Sequence, residues 1–405
     1  MIENKRLVNA RKKNMKLYPL YRMWGVDIVF LYAIRMLFLT QVKGFSSQDV
    51  VFAISLYALF MVILQVPVTI LIKKIGYVKS AFLSNVCNII YITLLIFSSN
   101  IAMLFFAEFI SALTFAIKDV AEPSLINNSI PKTKKKGNIF SKLEGKGTSR
   151  YNFLNAIADV VSGSVYLINP YLPLILAIIC SVIACIIILQ FEELSPKQKK
   201  SEKEENIIKD YISDLKISFK FILQSRRLRY LLLYSGLFWG LRCLVVSYKD
   251  SILVEIGTSA VIIGIVSALL EISAAIAAKK QGKFHKKFRN KSLTYIAMSF
   301  ALCTIFSGLI VVFKAPFILE LSIIVLSFII ISADNVMSGI LVNRYLANFS
   351  NSDILLKIYS ANAMSRNILR FTFGFIRFSS YGNNWHSKCY DYNWYFYINS
   401  YGNII

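Results

Sequence analysis

The chain has 405 residues; 56% are hydrophobic, 17% are charged, and mean hydropathy is +0.57. A soluble chain of this length carries more charge, and apolar runs of membrane length recur, so the composition describes an all-α polytopic membrane protein. The formal net charge of +24 is high enough to suit nucleic acid, but the basic residues cluster between alternate apolar runs, which encodes membrane topology and excludes a nucleic-acid face.

Residues 1–16 hold Lys5, Arg6, Arg11, Lys12, Lys13 and Lys16 against one acid, Glu3, which keeps the N-terminus in the cytoplasm. The apolar run that follows is too long for a cleavable signal. The runs predict spans at about 17–41, 50–72, 80–98, 101–118, 150–168 and 174–190, and then 229–248, 258–278, 292–313 and 316–341. Lys132, Lys134, Lys135, Lys136, Lys142, Lys146 and Arg150 mark the loop before span five as cytoplasmic, and Lys279 to Lys291 mark another inner loop. The outer loops contain chiefly Lys43, Lys249 and Lys314. Residues 191–227 read as a solvated linker of mixed charge, in which Ile208 to Ile222 predict an amphipathic helix on the inner membrane surface.

Enzymatic motifs are missing from this pattern. Gly145 to Ser149 reads GKGTS, but Phe140 stands where a phosphate loop requires glycine. Cys87, Cys180, Cys185, Cys243, Cys303 and Cys389 form no Cys-x-x-Cys pair, and the histidines are His285 in a basic loop and His386 in the tail. Neither a metal site nor another cofactor is indicated.

Two hairpins organise the chain. In Gln65 to Ala81 an apolar run ends in Lys73, Lys74 and Gly76; in Glu271 to Phe284 another ends in Lys279, Lys280 and Gly282. Gln65 and Glu271 each stand eight residues before the first lysine, and the two copies lie 206 residues apart, which suggests two repeated halves. Here the chain resembles the major facilitator superfamily. That family marks the turn between spans two and three with Gly-x-x-x-Asp-(Arg/Lys)-x-Gly-(Arg/Lys)-(Arg/Lys). Lys74 and Gly76 fit, and Pro67 is similar to the Glu-x-Pro often found there. Lys73 replaces the acid, Thr69 the first glycine, and Tyr77 and Val78 the trailing basic pair.

The resemblance implies two six-helix bundles around a central cavity lined by spans one, four, seven and ten. It implies a monomeric secondary transporter of a small solute in a bacterial plasma membrane, driven by an ion gradient, the proton first, with an efflux permease as one form. The halves are expected at 1–190 and 228–377. The alternatives are a non-functional remnant of such a transporter, or a membrane receptor or transferase. The charges inside the apolar runs are the candidates for the substrate and ion path: Asp27, Arg35, Glu108, Asp159, Arg242 and Asp334. Each costs on the order of 2.5–3.5 kcal/mol at the bilayer centre, so a water-filled path or pairing is needed to keep them. Asp27 and Arg35 would lie two turns apart on span one. Glu271, near the inner hairpin, suits a structural or gating role.

Span eleven is expected to start near Arg366, because Ser365-Arg366-Asn367-Ile368-Leu369 echoes Ser149-Arg150-Tyr151-Asn152-Phe153-Leu154 at span five. Its apolar run, Phe371 to Ile376, is short, and 378–405 turns abruptly polar and aromatic. This suggests a frameshift near residue 377, leaving ten complete spans and a partial eleventh. Labelling of single cysteines should place 132–146 and 279–291 inside the cell, and Lys43 and Asn169 outside; Lys43 and Lys135 on the same side would contradict this topology.

Overall fold

Lipid offers the backbone no hydrogen-bond partner, so a chain that spans it closes its hydrogen bonds within helices. The computed structural model describes residues 5–381 except 33, 132, 134, 195–224, 257, 259, 314–315 and 349–351, and no described residue lies in a strand. The linker helix expected at 208–222, Lys132, Lys134, Lys314 and the tail from 382 lie outside the described residues.

The helices are α1 (Lys5–Gly25), α2 (Arg35–Leu37, continued by a π-helical turn Phe38–Val42), α3 (Ser47–Ile75), α4 (Tyr77–Phe97), α5 (Ile101–Ser129), α6 (Lys136–Ile168) and α7 (Leu172–Ile188). After the linker come α8 (Arg226–Glu255), α9 (Ala260–Phe288), α10 (Ser292–Phe313), α11 (Phe317–Asn348) and α12 (Ser352–Tyr381). Among the described residues six stretches, in α3, α4, α5, α8, α9 to α10, and α11, are long and apolar enough to cross a membrane on length and composition alone. The 17 residues of α7 are apolar but fewer, and α6 opens with the basic stretch from Lys136 to Arg150. Side chains cap the ends away from the basic loops: Ser46 Oγ accepts from Asp49 N at 3.1 Å, and Asn100 Oδ1 from Met103 N at 2.9 Å.

Several helices outrun the spans read from hydropathy. α5 continues to Ser129, α6 begins at Lys136 rather than near 150, α8 includes Lys249 to Glu255, and α9 continues to Phe288. The segments expected as long loops are therefore helical, because they pack on one another and Lys, Glu and Gln favour helix. The eleventh span starts at Ser352, which puts Arg366 in mid-helix, and its backbone stays helical past Arg377 to Tyr381.

The second Lys-Lys-x-Gly copy is not a turn. Gly76 has φ +91° and ends α3, whereas Gly282 lies inside α9 and the chain reverses at Arg289–Lys291. The helix starts give a different repeat from the expected 206: α9, α10, α11 and α12 begin 213, 215, 216 and 216 residues after α3, α4, α5 and α6. The contacts obey the same register. α3 packs on α12 and α6 on α9, and a shift of about 215 residues carries one pair into the other.

At the α6–α9 crossing Gly145 lies against the α9 backbone, and a Cβ there would come within 2.5 Å of the Ala278 carbonyl oxygen. Gly282 has no such neighbour within 4 Å. Gly145→Leu is therefore expected to destabilise the purified protein by about 1–3 kcal/mol through overpacking, and Gly282→Leu by much less. Equal losses of melting temperature in the two variants would contradict the close crossing.

Candidate functional site

Span one is broken. α1 ends at Gly25 and regular helix resumes at Arg35, with Phe30 at φ +70° between them. Val26, Ile28, Val29 and Ile34 are β-branched, and the Asp27 carboxylate accepts from the Ile28 amide at 2.9 Å, so the local sequence competes with helix. Ser162 Oγ of α6 donates to the freed Phe30 carbonyl at 3.2 Å, the kind of repair that makes irregular backbone tolerable at membrane depth.

The break separates Asp27 from Arg35, so the expected two-turn spacing on one helix does not form. Arg35 makes an ion pair with the buried Glu108 of α5 instead. Asp27 is half-buried, with Lys118 of α5 and Arg370 of α12 as its charged neighbours. Asp159 on α6 faces the other half, where Lys249 and Glu271 are its charged neighbours. Arg242 of α8 lies over the Trp239 ring, 4.8 Å from its centroid. Asp334 accepts from Ser299 Oγ of α10, which turns it toward that helix.

The residues of the basic hairpins also sort by position. Gln65 is fully buried, and neither atom of its amide has a hydrogen-bond partner among the described residues. Pro67 lies within α3. Lys73, Lys74, Lys279 and Lys280 are exposed. The turn at Gly76 is held by Glu193, whose Oε2 accepts from Val78 N at 2.8 Å. Glu271 stands near Arg242 and Asp159, nearer the polar centre than the hairpin reading expected.

The structure adds three groups that the sequence reading missed. In the first, Arg22 of α1 binds Glu122 of α5 at 2.8 Å and Glu144 of α6 at 2.9 Å. Tyr21 donates to Glu122 at 2.8 Å and Tyr18 to Glu144 at 2.6 Å. In the second, Arg366 of α12 pairs with Asp119 of α5 at 2.9 Å and lies over the same Trp239 ring at 5.1 Å. The third is Lys118, buried at 4% exposure, whose Nζ has no hydrogen-bond partner among the described residues. One signal would have located part of this. Trp24-Gly25-Val26-Asp27 recurs as Trp239-Gly240-Leu241-Arg242, 215 residues on. It aligns α1 with α8 in the register of the other helices and places an acid and a base at matching positions.

No group of three or more metal-ligating side chains occurs among the described residues. The arrangement instead offers loosely partnered charges where helices of the two halves meet. A family model described as Major Facilitator Superfamily matches residues 24–373. A solved structure of the major facilitator superfamily proton:xylose symporter XylE bound to 6-bromo-6-deoxy-D-glucose is similar, with a TM-score of 0.67 over 96% of this chain and 93% of that one. The sequences are 14% identical, so this likeness shows the fold alone. A comparison with curated proteins finds no match. With the family model covering the chain from span one into span eleven, this all-helical membrane protein belongs to the Major Facilitator Superfamily and is a transporter, not an enzyme.

Proposed function

We propose that the protein is a secondary active transporter of a small solute that works by alternating access. Two helical halves, about 1–190 and 228–377, rock against one another, with 191–227 as the link. The basic ends of the helices face the cytoplasm, by the excess of Lys and Arg there. The observation that carries the reading is the set of contacts binding the halves at that end. Gln281 Nε2 of α9 donates to the Ser141 carbonyl of α6 at 2.9 Å, Arg344 of α11 bonds Asn138 of α6, and Thr69 of α3 meets Ser360 of α12 at 2.9 Å. They sit in a broad seam, in which α6 packs closely on α9 and one apolar cluster joins residues of both halves, so a solute parts it only through a differential affinity for the two states.

The coupling ion in this reading is the proton, as in the xylose symporter of similar fold. Asp27 and Asp159 are its carriers, because neither is held by an ion pair among the described residues, unlike Glu108 with Arg35. An acid kept at membrane depth without a fixed basic partner is a site for proton exchange. A panel of solutes tested in proteoliposomes should show accumulation that collapses with a protonophore. Asp27→Asn or Asp159→Asn should lower accumulation tenfold or more and spare solute exchange. Accumulation that persists without a pH gradient and follows sodium would contradict proton coupling.

A further inference from the structure

The short reversal between α9 and α10 carries a group of side chains that the transport reading does not use. α10 is 22 residues long, which makes about 33 Å of helix against a hydrocarbon core of about 30 Å. Its N-terminal end, and the turn Arg289–Lys291 that feeds it, therefore stand at the level of the inner-leaflet headgroups. Lys283, Lys286, Lys287, Arg289 and Lys291 are all exposed there. No Asp or Glu occurs between Glu271 and Glu320 to neutralise them.

Two features go beyond the positive charge that any inner loop collects. Arg289 has φ +46°, a left-handed conformation that Gly or Asn would hold at less cost. Its carbonyl accepts from Ser292 Oγ at 2.6 Å and from the Tyr345 hydroxyl at 3.5 Å, so two side chains fix the peptide. Strained positions of this kind cluster at ligand clamps, and what an exposed arginine offers a ligand is its guanidinium. The second feature is a ladder of rings. Phe284 and Phe288 of α9 stand 4.7 Å apart, Phe288 and Tyr295 of α10 another 4.7 Å, and Lys287 Nζ lies 5.3 Å from the Phe288 centroid. From Tyr295 an exposed apolar stripe continues along α10 through Met298, Leu302, Ile305 and Leu309. α10 packs chiefly on α11, which leaves this stripe to lipid.

We propose that this turn is a seat for one anionic phospholipid of the inner leaflet. The lipid phosphate bonds the Arg289 guanidinium, in the charge-assisted fork geometry that lysine does not provide. Lys287 and Lys291 add attraction without fixed geometry. The glycerol region lies against Tyr295, and an acyl chain runs down the stripe on α10. Charge and apolar surface thus follow one another in the order in which a phospholipid presents phosphate and chain. A free phosphate would satisfy Arg289 and has no use for the stripe. The seat does not depend on which solute crosses the membrane.

Native mass spectrometry of the purified full chain in detergent tests this, with dioleoylphosphatidylglycerol, dioleoylphosphatidylcholine and glycerophosphate as probes. The anionic lipid should bind about tenfold or more tightly than the zwitterionic one, and glycerophosphate should not displace it. Arg289→Gly should remove most of that preference while keeping or raising the melting temperature, because Gly suits the positive φ. Lys287→Gln combined with Lys291→Gln should reduce the preference several-fold. This pair decides the matter if Arg289→Gly does not fold, and a preference left unchanged in it then overturns the seat. Lys73→Gln combined with Lys74→Gln removes as much charge from the other inner hairpin and should change the preference little. Equal binding of the two lipids, an equal loss in the Lys73 and Lys74 variant, or displacement by glycerophosphate overturns the seat. So does a folded Arg289→Gly chain that keeps the full preference.

Discussion

Arg22 is the pivot of the first half. Its guanidinium holds a carboxylate from α5 and another from α6, and both acids take a second hydrogen bond from a tyrosine of α1. The side chains of Glu122 and Glu144 are 1% and 7% exposed, so neither charge has a cheap alternative in water. Breaking a buried network of this kind costs about 3–5 kcal/mol, because it strands the remaining charges. Gly147 lets α6 come up to the Cβ of Arg22, where any side chain would intrude. The clamp thus fixes α1, α5 and α6 as one body, and rigid bodies are what a rocking motion needs. It also anchors α1 immediately before the break at Gly25, which holds the irregular stretch carrying Asp27 against its neighbours.

Charges at depth fall into two groups. Arg35 with Glu108, and Arg22 with its two acids, are tied within the first half. Asp27, Asp119, Asp159, Glu271 and Arg366 each have a charged neighbour from the other half, and under the proposed cycle those neighbours change. In the first group fixed partners offset the cost of keeping charge in the membrane; for the second the proposed function supplies a use. Trp24 and Trp239, at equivalent positions in α1 and α8, stand beside opposite charges, so the repeat has kept its framework and diverged in its chemistry.

Much of the fold was legible in the sequence. The apolar runs located the core of every span, and α10 starts and ends where its run does. Hydropathy measures the length of helix that lipid covers, not the length of helix, so the continuations of α5, α6 and α9 beyond the bilayer were read as loops. The break in α1 was hidden because an apolar run looks alike whether it is wound or unwound. The repeat was set in the wrong register because Lys and Gly gather at any inner turn, whereas Trp-Gly followed by a charge two residues later does not. At the site, single charges within apolar runs were visible, but the Arg22 group was not: Glu122 and Glu144 fall between the apolar runs at 101–118 and 150–168, in the parts of α5 and α6 that hydropathy does not reveal.

The account stands on the halves parting at their basic ends. Pulsed electron resonance between spin labels at Lys142→Cys on α6 and Lys283→Cys on α9, in a background without native cysteines and in lipid nanodiscs, measures that directly. The account predicts two distance populations, one matching the closed ends of this structure and a longer one, with pH or solute shifting the balance. A single short distance under all conditions would contradict alternating access.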